Sequence, residues 1–191
     1  IKKKIITLFV IEKVRDPEIV NDIWVIFAPV KKNATDIIVQ KATELGASCI
    51  IPILTERTIS RRVNLNRMEE IAIEASEQCE RITIPNIAPL QSLAEIISNW
   101  DLNRKIYYGD ETIRNSSENF DYNNQLLTHS SGAILIGPEG GFSSKEIYFL
   151  RSKTFIIPIN FGPRVLRSDT AVMCGLVFWH TINGDMKHYL K

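Results

Sequence analysis

The chain has 191 residues, 45% hydrophobic and 24% charged, with a formal net charge of +1, the make-up of an ordinary globular protein of one domain, or one domain plus a fragment. No apolar run approaches the roughly 18–20 residues needed to cross a bilayer, and Lys2, Lys3 and Lys4 are not followed by the apolar core of a signal peptide, so no membrane role is expected. Near-neutral charge removes any argument for nucleic-acid binding from composition alone, although a local basic patch is enough to hold RNA.

Residues 5–11 predict an apolar, β-rich strand, and residues 12–22 are charged and contain Pro17. Residues 23–27, Ile-Trp-Val-Ile-Phe, predict a buried strand closed by Pro29. The apolar stripe over 33–45 predicts a helix stopped at Gly46, residues 49–54 a strand, and 65–82 a long helix with Met68, Ile71, Ala72, Ala75, Cys79 and Ile82 on one face. A short helix is expected at 92–100 and a strand at 105–108 ending on Gly109. The Asn- and Ser-rich stretch 110–131 reads as a loop. Residues 133–136 predict a buried strand, 143–153 a helix with a Ser143-x-x-Glu146 capping box, 155–159 a strand, and 168–182 a helix capped by Ser168. Apolar strands without alternation, joined through helices, indicate a mostly parallel α/β sheet covered on both faces.

Cys49, Cys79 and Cys174 are odd in number and far apart, and His129, His180 and His188 have no metal-ligand spacing. A reduced, cytoplasmic protein without a metal is the expectation.

In open α/β sheets ligands bind beyond the carboxyl ends of the strands. Two strand-to-helix segments there are unusual. One is Ile136-Gly137-Pro138-Glu139-Gly140-Gly141-Phe142, and the other runs from Asn160 through Phe161, Gly162, Pro163, Arg164, Val165, Leu166 and Arg167 to Ala171. Glycine permits tight turns and close approach of backbone to a ligand. A glycine-rich turn also occurs with no ligand at all. Neither segment has the spacing of a dinucleotide fingerprint or a P-loop. A phosphate-free cofactor held by backbone groups and apolar walls fits better.

Leu135 to Ser143 together with Phe161 to Ala171 resembles the paired signature of the 16S rRNA uridine-N3 methyltransferases. Gln40 to Gly46, Thr55-Glu56-Arg57-Thr58, and Glu74 to Arg81 followed by Ile84-Pro85 match that family in the same order, so the resemblance spans about residues 20–182. It implies a SPOUT-type domain: a mostly parallel sheet flanked by helices, with a C-terminal deep trefoil knot. It implies S-adenosyl-L-methionine as cofactor, 16S rRNA in the small ribosomal subunit as substrate, and a homodimer. Residues 1–20 would be the remnant of an N-terminal PUA-like domain and 21–191 the methyltransferase domain. The chain lacks an initiator Met and reads as beginning partway through a longer one. Another SPOUT activity, on a ribose 2′-oxygen or a tRNA base, and a non-enzymatic RNA-binding module are the alternatives.

Arg167 and Glu139 are the catalytic candidates. The permanently charged guanidinium suits anion stabilisation, and the carboxylate can take the N3 proton or hold the cofactor's amino group. Cofactor contacts are expected from Gly109, Ile136, Gly137, Pro138, Glu139, Gly140 and Gly141, and from Ile159, Phe161, Gly162, Val165, Leu166 and Arg167. RNA contacts are expected from Arg57, Gln78, Arg81 and Arg164, with Arg61 and Arg62 as further phosphate candidates. Glu74, Glu77, Gln78 and Arg81 share one side of the long helix, where a plain solvated face is the other reading.

Overall fold

A computed structural model of the chain describes residues 6–16, 20–113 and 130–188. Seven strands form one sheet: β1 (Asp22–Phe27), β2 (Cys49–Leu54), β3 (Asn86–Ile87), β4 (Gln91–Ser92), β5 (Lys105–Gly109), β6 (Ser131–Ile136) and β7 (Ile156–Ile159). Their order is β3-β2-β1-β6-β5-β7, with β4 also beside β2. Every pairing is parallel. All strands therefore end on the same edge, and the connections leaving that edge lie side by side.

Among the described residues, five helices cover the sheet: α1 (Lys32–Glu44), α2 (Leu65–Gln78), α3 (Leu93–Ser98), α4 (Ser144–Arg151) and α5 (Ser168–Ile182). The period-two geometry of β1 splits its residues between two cores. Ile23, Val25 and Phe27 pack with Ile38, Ala72, Val172, Leu176 and Trp179 under α1, α2 and α5. Ile26 packs on the other face with Ile51, Ile96, Ile106 and Leu150, under α3 and α4. The expected parallel sheet with both faces covered is what forms.

Local signals explain the boundaries. Ser92 and Ser143 each head a reciprocal capping box with Glu95 and Glu146, and Asn64 caps α2 by accepting from the Arg67 N–H. Pro158 sits in β7, which pairs on one side only, with β5.

Three expectations are corrected. The long helix ends at Gln78 rather than Ile82. Glu80 takes φ +60°, the Glu80 N–H donates to Glu77 O and the Arg81 N–H to Ser76 O. This is a Schellman closure built without glycine, which is why the sequence does not announce it. Ser168 does not cap α5: the N-cap position is Arg167, with no side-chain cap. Residues 6–11 form no strand; Ile6, Leu8, Phe9, Val10 and Ile11 are exposed, because β-propensity forms a strand only where a partner supplies the ladder. Of the loop expected at 110–131, Glu111–Ile113 is a 3-10 turn, Ser131 already lies in β6 and residues 114–129 fall outside the described residues.

Arg104 fastens the amino-terminal edge of the sheet. It donates to the Asp22 carbonyl at 3.0 Å and the Gly132 carbonyl at 3.2 Å, pairs with the Asp22 carboxylate, and lies over the Trp24 ring at 4.0 Å. Replacing Arg104 by alanine strands those acceptors, and we expect a loss of about 2 kcal/mol, read as a lower midpoint in urea unfolding. An unchanged midpoint would mean that water replaces the guanidinium at no cost.

Candidate active site

The loops leaving the carboxyl edge meet around β6. From the first, Gly141 has φ +66°, and from the second, Gly162 has φ +98°, conformations that side chains with a Cβ rarely adopt. The Ser168 hydroxyl at the start of α5 donates to the Gly137 carbonyl at 3.1 Å. One hydrogen bond thus ties the second loop to the first. Asn160 shapes the second loop by accepting from the Gly162 N–H at 2.9 Å.

Between the end of β5 and the second loop lies a cavity of about 70 Å³, lined by Gly109, Asp110, Glu111, Ile159, Phe161, Gly162, Arg164, Val165 and Leu166, among others. Seven of the residues singled out in the sequence converge here. Ile159 is fully buried and Val165 mostly exposed. The cavity is much smaller than the 300 Å³ or more of a typical small-molecule site. Part of the space is taken by side chains: a Cβ placed on Gly109 would stand 3.0 Å from the Phe161 ring and 3.2 Å from Ile136, so both press on the end of β5.

The first loop faces two ways. The Gly137 carbonyl is tied to Ser168 and Gly141 lies against Glu111, whereas Pro138, Glu139 and Gly140 line a separate cavity of about 280 Å³ with Pro29, Val30, Lys31, Arg57, Ile59 and Ser60. The segment after β2 is pinned beside it. The Arg57 guanidinium donates to the Gly140 carbonyl at 2.8 Å. The buried Glu146 carboxylate accepts from the Ser143 N–H and from the Glu56 N–H, each at 2.8 Å. Its capping box therefore fixes both the start of α4 and the Thr55–Thr58 turn.

Two residues at the site were missed in the sequence. Glu111 reaches across to the first loop: a Cβ on Gly141 would meet its Oε1 at 2.8 Å. Asp110 is buried and accepts from Tyr108, from the Thr112 hydroxyl at 2.7 Å and from Arg151 at 2.7 Å. Burial alone would raise its carboxyl pKa, but those hydrogen bonds outweigh it and hold the group below the usual carboxylate range. Burial pushes the Tyr108 phenol well up, and the hydrogen bond to Asp110 adds to this. The available signal was the carboxylate pair Asp110-Glu111 directly behind a strand end, hidden in a stretch read as polar loop.

Other expected residues lie elsewhere. Arg167 is exposed at the head of α5, and Glu139 is exposed on the first loop. Gln78 and Arg81 stand at the opposite edge of the sheet, because α2 runs back about 20 Å from the carboxyl edge over its 14 residues. There the Arg81 guanidinium donates to the carbonyls of Thr43 at 2.6 Å and Ala47 at 3.1 Å, closing the end of α1.

The sequence pattern of the RNA methyltransferase domain family matches residues 17–179, and the chain belongs to that family. Its relatives there share one name. Ribosomal RNA small subunit methyltransferase E of Rickettsia conorii is 28% identical over 165 residues, 86% of this chain and 66% of its own length. The protein of that name in Buchnera aphidicola subsp. Acyrthosiphon pisum is 30% identical over 167 residues, 82% of this chain and 62% of its own. A crystal structure of ribosomal RNA small subunit methyltransferase E from Neisseria gonorrhoeae, bound to S-adenosyl methionine, aligns with a TM-score of 0.71 at 27% identity, over 84% of this chain and 65% of that one. The chain thus spans just under two thirds of the length of these relatives.

Because the folded Asp110 carboxyl titrates below its unfolded value near 3.9, it adds stability that is present above about pH 4 and is lost as the pH falls through the folded value. Urea midpoints followed from pH 6 to pH 2.5 should fall in wild type and fall less steeply in Asp110→Asn. Parallel curves would remove Asp110 as a contributor.

Proposed function

We propose that the chain moves a methyl group from S-adenosyl-L-methionine to N3 of a uridine in 16S ribosomal RNA, acting on the small subunit in the cytoplasm as a homodimer of SPOUT fold. The observation that carries the reading is the pair of glycine-bearing loops joined by the Ser168–Gly137 hydrogen bond at the carboxyl edge of a parallel sheet.

The residues present fit that cofactor in chemistry. The walls are apolar, the loops bring backbone N–H and C=O groups close, and the Glu111 carboxylate suits ribose hydroxyls or the cofactor's ammonium group. In volume the cavity must widen to take it, and the Phe161 ring beside Gly109 is a side chain whose rotation would add room. When bound, the cofactor supplies a methyl electrophile on a sulfonium; the chain orients it. Uridine N3 must lose its proton as it takes the methyl group. We assign the acceptor role to Glu139, the carboxylate within the first loop, and stabilisation of the forming uracil anion to Arg167. Arg57 and Arg164, exposed beside the two loops, are the phosphate contacts. Gln78 and Arg81 are left out of the RNA surface because they stand at the far edge.

A knotted C-terminal segment is part of this reading. It is supported by β7 pairing with β5 at one side of the sheet while the helix that follows packs back against α1, β1 and β6. The partly exposed Val177 on α5 supports a second copy packing there. We also assign residues 1–20 to an N-terminal PUA-like domain, since the exposed Ile6, Leu8, Phe9, Val10 and Ile11 call for partner strands.

Isothermal titration with S-adenosylmethionine should give saturable heat for wild type. Gly141→Val should weaken it about tenfold or more, because the branched side chain meets Glu111; a thermal melt checks that the variant is folded. Nucleoside analysis of small-subunit RNA from cells lacking the protein should show loss of 3-methyluridine. Loss of a 2′-O-methyl nucleoside instead would overturn the choice of atom.

A further inference from the structure

The 280 Å³ cavity on the outer side of the first loop is not needed to hold the cofactor. Its floor is buried and apolar, made by Pro29, Val30 and Pro138. At its mouth stands Ile59, 87% exposed although isoleucine is costly to leave in water. Lys31 and Arg57 rim it as cations and Glu139 as the one carboxylate. A second cavity, of about 330 Å³, shares Pro29, Val30 and Ser60 with the first and adds Arg62 and Arg67. Arg67 is held by Asp36 at 2.6 Å, whereas among the described residues Lys31, Arg57, Arg61 and Arg62 enter no salt bridge.

We infer that this cavity receives the unstacked base of the target uridine, with the flanking phosphates on Lys31, Arg57 and Arg62. The inference deepens the proposed function and rests on the chain acting on RNA. An enzyme that alkylates a ring nitrogen must take the base out of its stack, and it reads the base by apolar contact with its faces and hydrogen bonds to its pairing edge. The two proline rings, Val30 and Ile59 provide the apolar faces. The volume, just under the range for drug-sized ligands, suits one nucleoside rather than a run of them. Lys31, Arg57 and Arg62 are exposed whereas Pro29, Val30 and Pro138 are buried, so the cations stand outward of the apolar floor, as a base followed by its phosphodiester requires.

The placement of Glu139 also sets specificity. Its ionised carboxylate only accepts hydrogen bonds. Uracil offers an N3–H donor at its pairing edge, whereas cytosine offers a lone pair there and is repelled. The same pairing aims the N3 proton at the group proposed to remove it. Pro138, Glu139 and Gly140 line this cavity, while the neighbouring Gly137 carbonyl is tied to Ser168 and Gly141 lies against Glu111, so one short loop borders both the base pocket and the cofactor side, and N3 can meet the methyl group at its edge.

The test uses small subunits from cells lacking this activity, with tritiated S-adenosylmethionine. Ile59→Ser, an exposed change that leaves the fold intact, should lower kcat/KM for the subunit about tenfold or more, with the cofactor Kd unchanged. RNA carrying 4-thiouridine at the methylated position should photo-crosslink to the peptides containing Val30 or Ile59. A crosslink that maps to residues 160–167, or an Ile59→Ser variant with wild-type kcat/KM, would overturn the base-pocket assignment while leaving methyl transfer standing. Absence of both cofactor binding and methyl transfer in wild type would overturn the proposed function, and this assignment with it.

Discussion

The hydrogen bond from the Ser168 hydroxyl to the Gly137 carbonyl joins segments 31 residues apart in sequence. It forms because β6 and β7 point the same way and release their chains on the same edge. Without it the second loop would still leave β7 near the first, held to it by the apolar packing of Ile136 with Phe161 and Leu166 but by no directional contact between Ser168 and Gly137. The turns at Gly141 and Gly162 are closed locally, by the Pro138 carbonyl and the Asn160 side chain, and the tie sets how these two preformed loops stand to each other. A bond of this kind contributes about 1 kcal/mol to stability, so its importance lies in position more than in energy.

A second layer of fastening keeps the first loop rigid from its outer side. Glu146 links the α4 cap to the turn after β2, and Arg57 returns from that turn to the Gly140 carbonyl. Behind the crevice, Asp110 gathers Tyr108, Thr112 and Arg151 at the end of β5. The ends of β2 and β5 are thus each held by a buried carboxylate. Such preorganisation is what a methyl transfer demands, since in-line approach of two bound reactants accounts for most of the gain. Phe161 is the side chain that keeps the crevice small, and it sits on the more exposed of the two loops. Entry of a ligand therefore calls for movement of that ring.

Much of this was legible in the residues. Uninterrupted apolar runs such as Ile23–Phe27 and Ala133–Ile136 can be buried only when both faces are covered, so the parallel sheet followed from them. The two loops stood out because glycines and prolines cluster there between a strand and a helix. What stayed hidden required three dimensions. Glu80 ends α2 in a left-handed conformation that glycine ordinarily marks. Ser168 looked like a cap, and its role as a tie depends on where Gly137 lies. Asp110 and Glu111 were lost in a polar stretch, since nothing local distinguishes a buried carboxylate from a solvated one. Gln78 and Arg81 were drawn toward the RNA by the family resemblance, yet the direction of α2 carries them to the other edge. The cavity between Pro29 and Pro138 joins residues more than a hundred positions apart, which no periodicity can disclose.

The central claim is that these two loops close on one molecule of S-adenosylmethionine. A crystal structure of the protein grown with that compound tests it directly. The account predicts density between residues 136–141 and 160–167, with the Phe161 ring turned away from Gly109 and the Ser168–Gly137 hydrogen bond retained. Density for the compound at any other place, or an unchanged Phe161 with the crevice still closed at saturating concentration, would contradict it.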